Sequence, residues 1–137
     1  MEITMKGLKR ILIIEDDPLN RELERALFEM AGYTVFEAGD ARKGIAIAKN
    51  EQPDVIIMDF QLPGMNGIQA IEVLKNDPKT HNIPCIIVTS TATERELEMF
   101  KSPDICGYIT KPLNTRTFVK EVVGLARNYQ LASEHAQ

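Results

Sequence analysis

Two features of the sequence predict an α/β fold with a parallel sheet. Short, continuous apolar runs rich in β-branched residues recur at Arg10–Ile14 (RILII), Val55–Met58 (VIIM) and Cys85–Val88 (CIIV). Strands covered by helices on both faces read this way, because neither face of the strand meets water. The segments between these runs carry apolar residues at helical spacing, and strands alternating with helices imply right-handed parallel crossovers.

The elements follow in order. Arg10–Ile14 is the first strand. A helix comes next, with Leu23, Ala26, Leu27 and Met30 at i, i+3, i+4 and i+7 as its inward face and Gly32 as its stop. Tyr33–Glu37 (YTVFE) is a weaker apolar run, suited to a strand nearer an edge. Asp40 N-caps a second helix that turns Ile45 and Ala48 inward. After Val55–Met58, a third helix follows Asn66, with Ile68, Ile71 and Leu74 on one face and Asp77-Pro78 at its end. After Cys85–Val88, Thr93-Glu94-Arg95-Glu96 has the form of a capping box and opens a fourth helix, which Pro103 should end sharply. Gly107–Thr110 (GYIT) is the second weak strand. The last helix is expected from about Asn114 to about 130, with Phe118, Val122, Leu125 and Tyr129 along one side.

The chain of 137 residues fits one domain, with a core at about 9–130. Met1–Gly7 and Gln130–Gln137 read as poorly ordered tails, and no second domain is expected. A net charge of −4 and the lack of any Lys/Arg run argue against nucleic acid as a partner. No apolar stretch approaches the roughly 20 residues of a membrane span, and no leader precedes the first strand, so a cytoplasmic protein is expected. Cys85 and Cys106 form no CxxC pair and read as buried or half-buried thiols in a reducing compartment. His81 and His135 stand alone, which makes a zinc site improbable.

In open parallel sheets the site forms beyond the carboxyl ends of the strands. Those positions hold Glu15-Asp16-Asp17, Asp59, Thr89-Ser90 and Lys111-Pro112. Three to four carboxylates, a hydroxyl and an ammonium therefore converge. An acidic triplet after the first strand would repel a nucleotide or flavin phosphate. Crowded carboxylates repel by roughly 4 kcal/mol per pair about 4 Å apart at an effective dielectric of 20. A hard divalent cation relieves that, and Mg²⁺ suits an oxygen-only ligand set. Asp59 can then act as nucleophile toward a phosphoryl donor, with the metal, Lys111 and Thr89 compensating charge. Singly, each element has a plainer reading: Asp17-Pro18 as a helix start, Thr89 as an N-cap, Lys111 as a surface lysine. Their common position after parallel strands favours the joint reading.

These residues carry a resemblance. ILIIEDDPLNRELERALFEMAGY, PDVIIMDFQLPGMNG, IPCIIVTS and YITKP, with 30 residues from Asp59 to Thr89 and 22 from Thr89 to Lys111, are similar to a receiver domain of bacterial two-component response regulators, of the stand-alone type. The resemblance covers roughly residues 9–130. It implies a flavodoxin-like (βα)5 fold with strand order 2-1-3-4-5. It implies Asp59 as phospho-acceptor, and Asp16, Asp59 and the backbone carbonyl of Gln61 as Mg²⁺ ligands, with Glu15 acting largely through water. It further implies Thr89 as the switch hydroxyl, Tyr108 as the aromatic that turns inward on activation, Lys111 as the phosphoryl-pairing lysine, and a cis bond between Lys111 and Pro112. Phe60, Gln61, Ser90 and Thr91 fall at variable positions that tune phosphoryl lifetime in the family.

The expected partners are a sensor histidine kinase or histidine phosphotransfer protein, and a downstream protein reading the face of the fourth helix, fifth strand and fifth helix. The chain is expected to be a monomer or a phosphorylation-linked dimer. The stretch Ser102-Pro103-Asp104-Ile105-Cys106-Gly107 departs from the family's pattern and leaves the end of the fourth helix open. Two other readings stand beside this one. A haloacid-type phosphatase also uses an Asp nucleophile but needs a second acid two residues on, where this chain has Gln61. A phosphorylation-independent, receiver-like interaction module would keep the pocket without using it.

Overall fold

The computed structural model describes residues 7–90 and 92–135. Thr91, Met1–Lys6 and the last two residues lie outside the described residues, and with them the expectations placed on Thr91 and on most of the N-terminal tail.

Five strands, β1 (Arg10–Ile14), β2 (Thr34–Ala38), β3 (Val55–Asp59), β4 (Cys85–Thr89) and β5 (Gly107–Thr110), form one parallel sheet in the order β2-β1-β3-β4-β5. The two weaker runs are the edges, as their composition predicted. The helices are α1 (Pro18–Met30), α2 (Ala41–Glu51), α3 (Gly67–Lys75), α4 (Glu94–Met99) and α5 (Phe118–His135). This is the flavodoxin-like order, and it places the strand-order reversal between β1 and β3.

Alternation along the strands divides the core into two layers. Leu12, Ile14, Ile56, Met58, Cys85 and Ile87 face α2, α3 and the end of α4, where Ala48, Ile71, Leu74, Phe100 and Ile105 complete the packing. Ile11, Ile13, Ile57, Ile86 and Val88 face α1 and α5, meeting Phe28, Phe118, Val122 and Ala126. The cysteines fall in different layers, Cys85 buried in the first and Cys106 half-buried against the second. Burial pushes their thiols up to about 11 and about 12, so both stay protonated.

Local signals held at most helix starts. Asp40 caps α2 by accepting the Lys43 N–H at 2.8 Å. Asn66 with Gln69, and Thr93 with Glu96, are reciprocal capping boxes.

Four details correct the sequence reading. The buried residues of α1 are Glu24 and Phe28; of the expected inward face, Leu27 packs partly buried against the same layer and Ala26 is half-buried, while Leu23 and Met30 are exposed. Phe28 wins that face because its ring packs edge-on against Tyr33 and Phe118, each at 5.6 Å. Asp59 and Thr89 are the last residues of their strands rather than the residues after them. α4 stops at Met99, well before Pro103, because Lys101 and Ser102 donate to carbonyls three residues back and tighten the turn. α5 begins at Phe118, after a turn in which Asn114 accepts from Thr117 and Phe118, and continues to His135. No helix among the described residues is long and apolar enough to cross a membrane.

Candidate functional site

The carboxyl ends of β1, β3, β4 and β5 bring Glu15, Asp16, Asp59, Thr89 and Lys111 to one end of the sheet. One carboxylate oxygen each from Glu15, Asp16 and Asp59 lie within 4.8 Å of one another. Lys111 spans the cluster, with Nζ 2.8 Å from Glu15 Oε1 and 3.6 Å from Asp59 Oδ2. Glu15 is buried and also accepts the Asp17 N–H at 3.1 Å, while Asp16 is exposed. Glu15, expected to act through water, is thus the acid held most firmly by the protein. Asp17 stands apart from the cluster: it N-caps α1, accepting from Leu19 ahead of Pro18 at the first helical position.

Each position has a local cause. Arg21, one turn into α1, donates to the Glu15 carbonyl at 2.8 Å and fixes the turn after β1. Gly67 opens α3 directly over the end of β3. A Cβ there would lie 2.9 Å from the Asp59 carbonyl oxygen, so only glycine lets the helix start this close. Its N–H donates to the Phe60 carbonyl at 2.8 Å. The Lys111–Pro112 peptide is cis, and the Lys111 N–H donates to the Thr89 carbonyl at 2.8 Å, tying the end of β5 to the end of β4. Thr89 is buried, Gln61 is exposed, and Tyr108 is 43% exposed on β5.

Electrostatics set the protonation states. Burial, with the negative charge of Glu15, pushes Asp59 up to about 6, against the opposing pull of Lys111. Burial disfavours the Lys111 charge, but its bond to Glu15 and the charges of Asp59, Glu15 and Glu24 outweigh that and hold it above the ordinary lysine value. Sequence reasoning missed one member of this neighbourhood. Glu24 on α1 is 2% exposed, and burial, with Glu15 and Asp59 adding to it, pushes its carboxyl up to about 8. The signal was an acid four residues before Phe28, on the same helix face.

The donor set is all oxygen, strongly acidic and partly open to solvent, which fits a hard divalent cation such as Mg²⁺. The charge crowding that raises Asp59 is what a dication would relieve.

Comparison with known proteins agrees with this geometry. Residues 11–123 match the family model described as the response regulator receiver domain. Protein PilH of Pseudomonas aeruginosa is 37% identical over 115 residues, covering 84% of this chain and 95% of that protein. A receiver domain protein from Methanospirillum hungatei superposes with a TM-score of 0.82 at 27% identity, covering 92% of this chain and 99% of that one. The receiver domain of the sensor histidine kinase PA1611 from Pseudomonas aeruginosa, 23% identical over 88% of this chain and 98% of its own, shares the fold with a TM-score of 0.77. That structure is described with a magnesium ion coordinated in its active-site cleft. Sequence, topology and the acidic cluster agree: the chain belongs to the response regulator receiver domains of two-component signalling.

Proposed function

We propose that this receiver accepts a phosphoryl group on Asp59 from a phosphohistidine, with Mg²⁺ held by Asp16, Asp59 and the Gln61 carbonyl, and by Glu15 through water. The observation that carries the reading is the meeting of Asp59 with Glu15 and Asp16 inside 4.8 Å, under an ammonium 3.6 Å from Asp59. Bound Mg²⁺ would draw charge from the transferring phosphoryl group.

The protein's own groups do the rest. An Asp59 carboxylate oxygen forms the new O–P bond as the P–N bond of the donor breaks. The electron pair leaves with the imidazole nitrogen, which takes a proton from solvent. Lys111 shifts from Glu15 toward the phosphoryl oxygens, and the Thr89 hydroxyl donates to one of them. The exposed Tyr108 then turns inward, and the surface of α4, β5 and α5 changes its population of packings for a downstream protein. Phosphotransfer here needs positioning and charge compensation, and no acid stands two residues after Asp59 to drive turnover of external esters.

Intact-mass measurement after incubation with acetyl phosphate tests the reading. A single phosphoryl adduct that requires Mg²⁺ and is absent from Asp59→Asn is expected. An adduct surviving in that variant, or none in the wild type, overturns it.

Protonation gives a second expected result. Asp59 binds a proton below about pH 6, and that proton competes with the metal. Apparent Mg²⁺ affinity, by titration calorimetry, should weaken by about tenfold from pH 7 to pH 5. A flat profile would remove Asp59 from the ligand set.

A further inference from the structure

Three aromatic rings run in file from the acceptor to the protein surface. Phe60 directly follows Asp59, is buried, and is fixed at both backbone groups: its N–H donates to the Val88 carbonyl and its carbonyl accepts the Gly67 N–H. Its ring meets Phe100 edge-on, with centroids 5.3 Å apart at 78°. Phe100 in turn lies 5.4 Å from the Tyr108 ring at 40°. Phe100 is 4% exposed and Tyr108 is 43% exposed, so the file passes from the core to solvent.

The middle ring occupies a particular mechanical position. Phe100 is the C-cap residue of α4, a six-residue helix that buries none of its own side chains. Leu97 packs only partly on the core. Phe100 is therefore the main anchor of α4 on the sheet, and an element with so little burial is one that moves at low cost. The same ring touches the residue next to the acceptor and the exposed tyrosine of β5. A shift of Asp59 that displaces Phe60 by a fraction of an ångström has to be absorbed by Phe100, because packed rings do not compress. The anchor of α4 and the support of Tyr108 then move together.

We propose that Phe100 is a positioning residue that couples the state of Asp59, through Phe60, to Tyr108 and α4. The inference rests on the reading of Asp59 as acceptor. It adds a route separate from the Thr89 hydroxyl, one made of ring contacts on the α3–α4 side of the sheet.

The test uses the full chain with 3-fluorotyrosine at its three tyrosines, acetyl phosphate with Mg²⁺ as the probe, and intact mass measured in parallel. The fluorine resonance of Tyr108 is assigned with Tyr108→Phe. In the wild type it should shift in proportion to the adduct. Phe100→Leu keeps an apolar side chain and removes the ring. It should form the adduct to the wild-type extent, with the Tyr108 shift at least halved. Phe60→Leu breaks the first contact instead, should give the same loss, and decides the matter if Phe100→Leu does not fold. Phe28→Leu breaks ring pairs on the opposite face of the sheet and should leave the shift intact. A full Tyr108 shift in both Phe100→Leu and Phe60→Leu overturns the coupling while leaving the acceptor standing. So does an equal loss in Phe28→Leu, which would trace the response to general loosening. Absence of any adduct in the wild type overturns the acceptor reading, and the coupling falls with it.

Discussion

Lys111→Met should destabilise the metal-free protein by on the order of 3 kcal/mol, and millimolar Mg²⁺ should return most of that loss. The reason lies in the asymmetry of a buried pair. Glu15 has a side chain only 1% exposed, and its nearest cation is the Lys111 ammonium at 2.8 Å. Removing the lysine leaves a carboxylate that has lost its water and its counter-charge together, and stranding one partner costs more than the intact pair contributes. Asp59, 3.6 Å from the same ammonium, loses its lowering influence as well. Two outlets remain: proton uptake by the carboxyls, or a cation. The variant should therefore be least stable in chelator at high pH, and should gain more from Mg²⁺ than the wild type does. Urea denaturation of both proteins, in chelator and in Mg²⁺, measures this. Equal Mg²⁺ stabilisation of the two would mean that the ammonium and the metal do not share a site. In the phosphorylation assay, the same variant should still accept the phosphoryl group more readily than Asp59→Asn, yet lose the downstream change proposed above.

Much of this site was legible because its residues follow apolar runs, and a parallel sheet leaves little freedom in where strand ends go. Glu15, Asp16, Asp59, Thr89 and Lys111 needed only the strand order to be brought together. What escaped reading depended on tertiary choice. On α1 two faces compete, the stripe through Leu23, Ala26, Leu27 and Met30 and the one through Phe28, and periodicity alone ranks the four-residue stripe first. The aromatic partners, Tyr33 just beyond the helix and Phe118 far along the chain, reversed that order and carried Glu24 inside with Phe28. Ser102–Gly107 was opaque for a related reason. Its turn is held by Ser102 accepting the Ile105 N–H, and by Ile105 and Phe100 plugging the core, contacts that no local pattern encodes. α5 passes its expected end because no Gly or Pro follows Gly124 to stop it.

Glu24→Leu should make the protein more stable, and the gain should grow with pH. The carboxyl is 2% exposed, no hydrogen bond or ion pair to it stands among the described contacts, and burial first, then the charge of Glu15, pushes it up to about 8 from an ordinary value of 4.5. The sign follows from linkage. A group whose folded pKa exceeds its unfolded one binds more protons in the native state between the two values, so its contribution is fully present below pH 4.5 and is lost as pH rises through 8. Near neutral pH the wild type should already have forfeited on the order of 3 kcal/mol through this one side chain, and leucine, apolar and of similar bulk, would recover it. At a few degrees per kcal/mol, the melting temperature in chelator should rise by roughly 10 °C at pH 8 and by far less at pH 5. Asp59, also raised, tilts the wild-type curve in the same direction but is present in both proteins, so it largely cancels from the difference. Glu24→Gln, which keeps the polar group without the charge, should recover only part of the gain. A pH-independent difference between wild type and Glu24→Leu would show that Glu24 is ionised and compensated throughout, with its charge matched by Lys111. In that case Lys111→Met and Glu24→Leu should be strongly non-additive, whereas a protonated Glu24 predicts that the two changes nearly sum at pH 5.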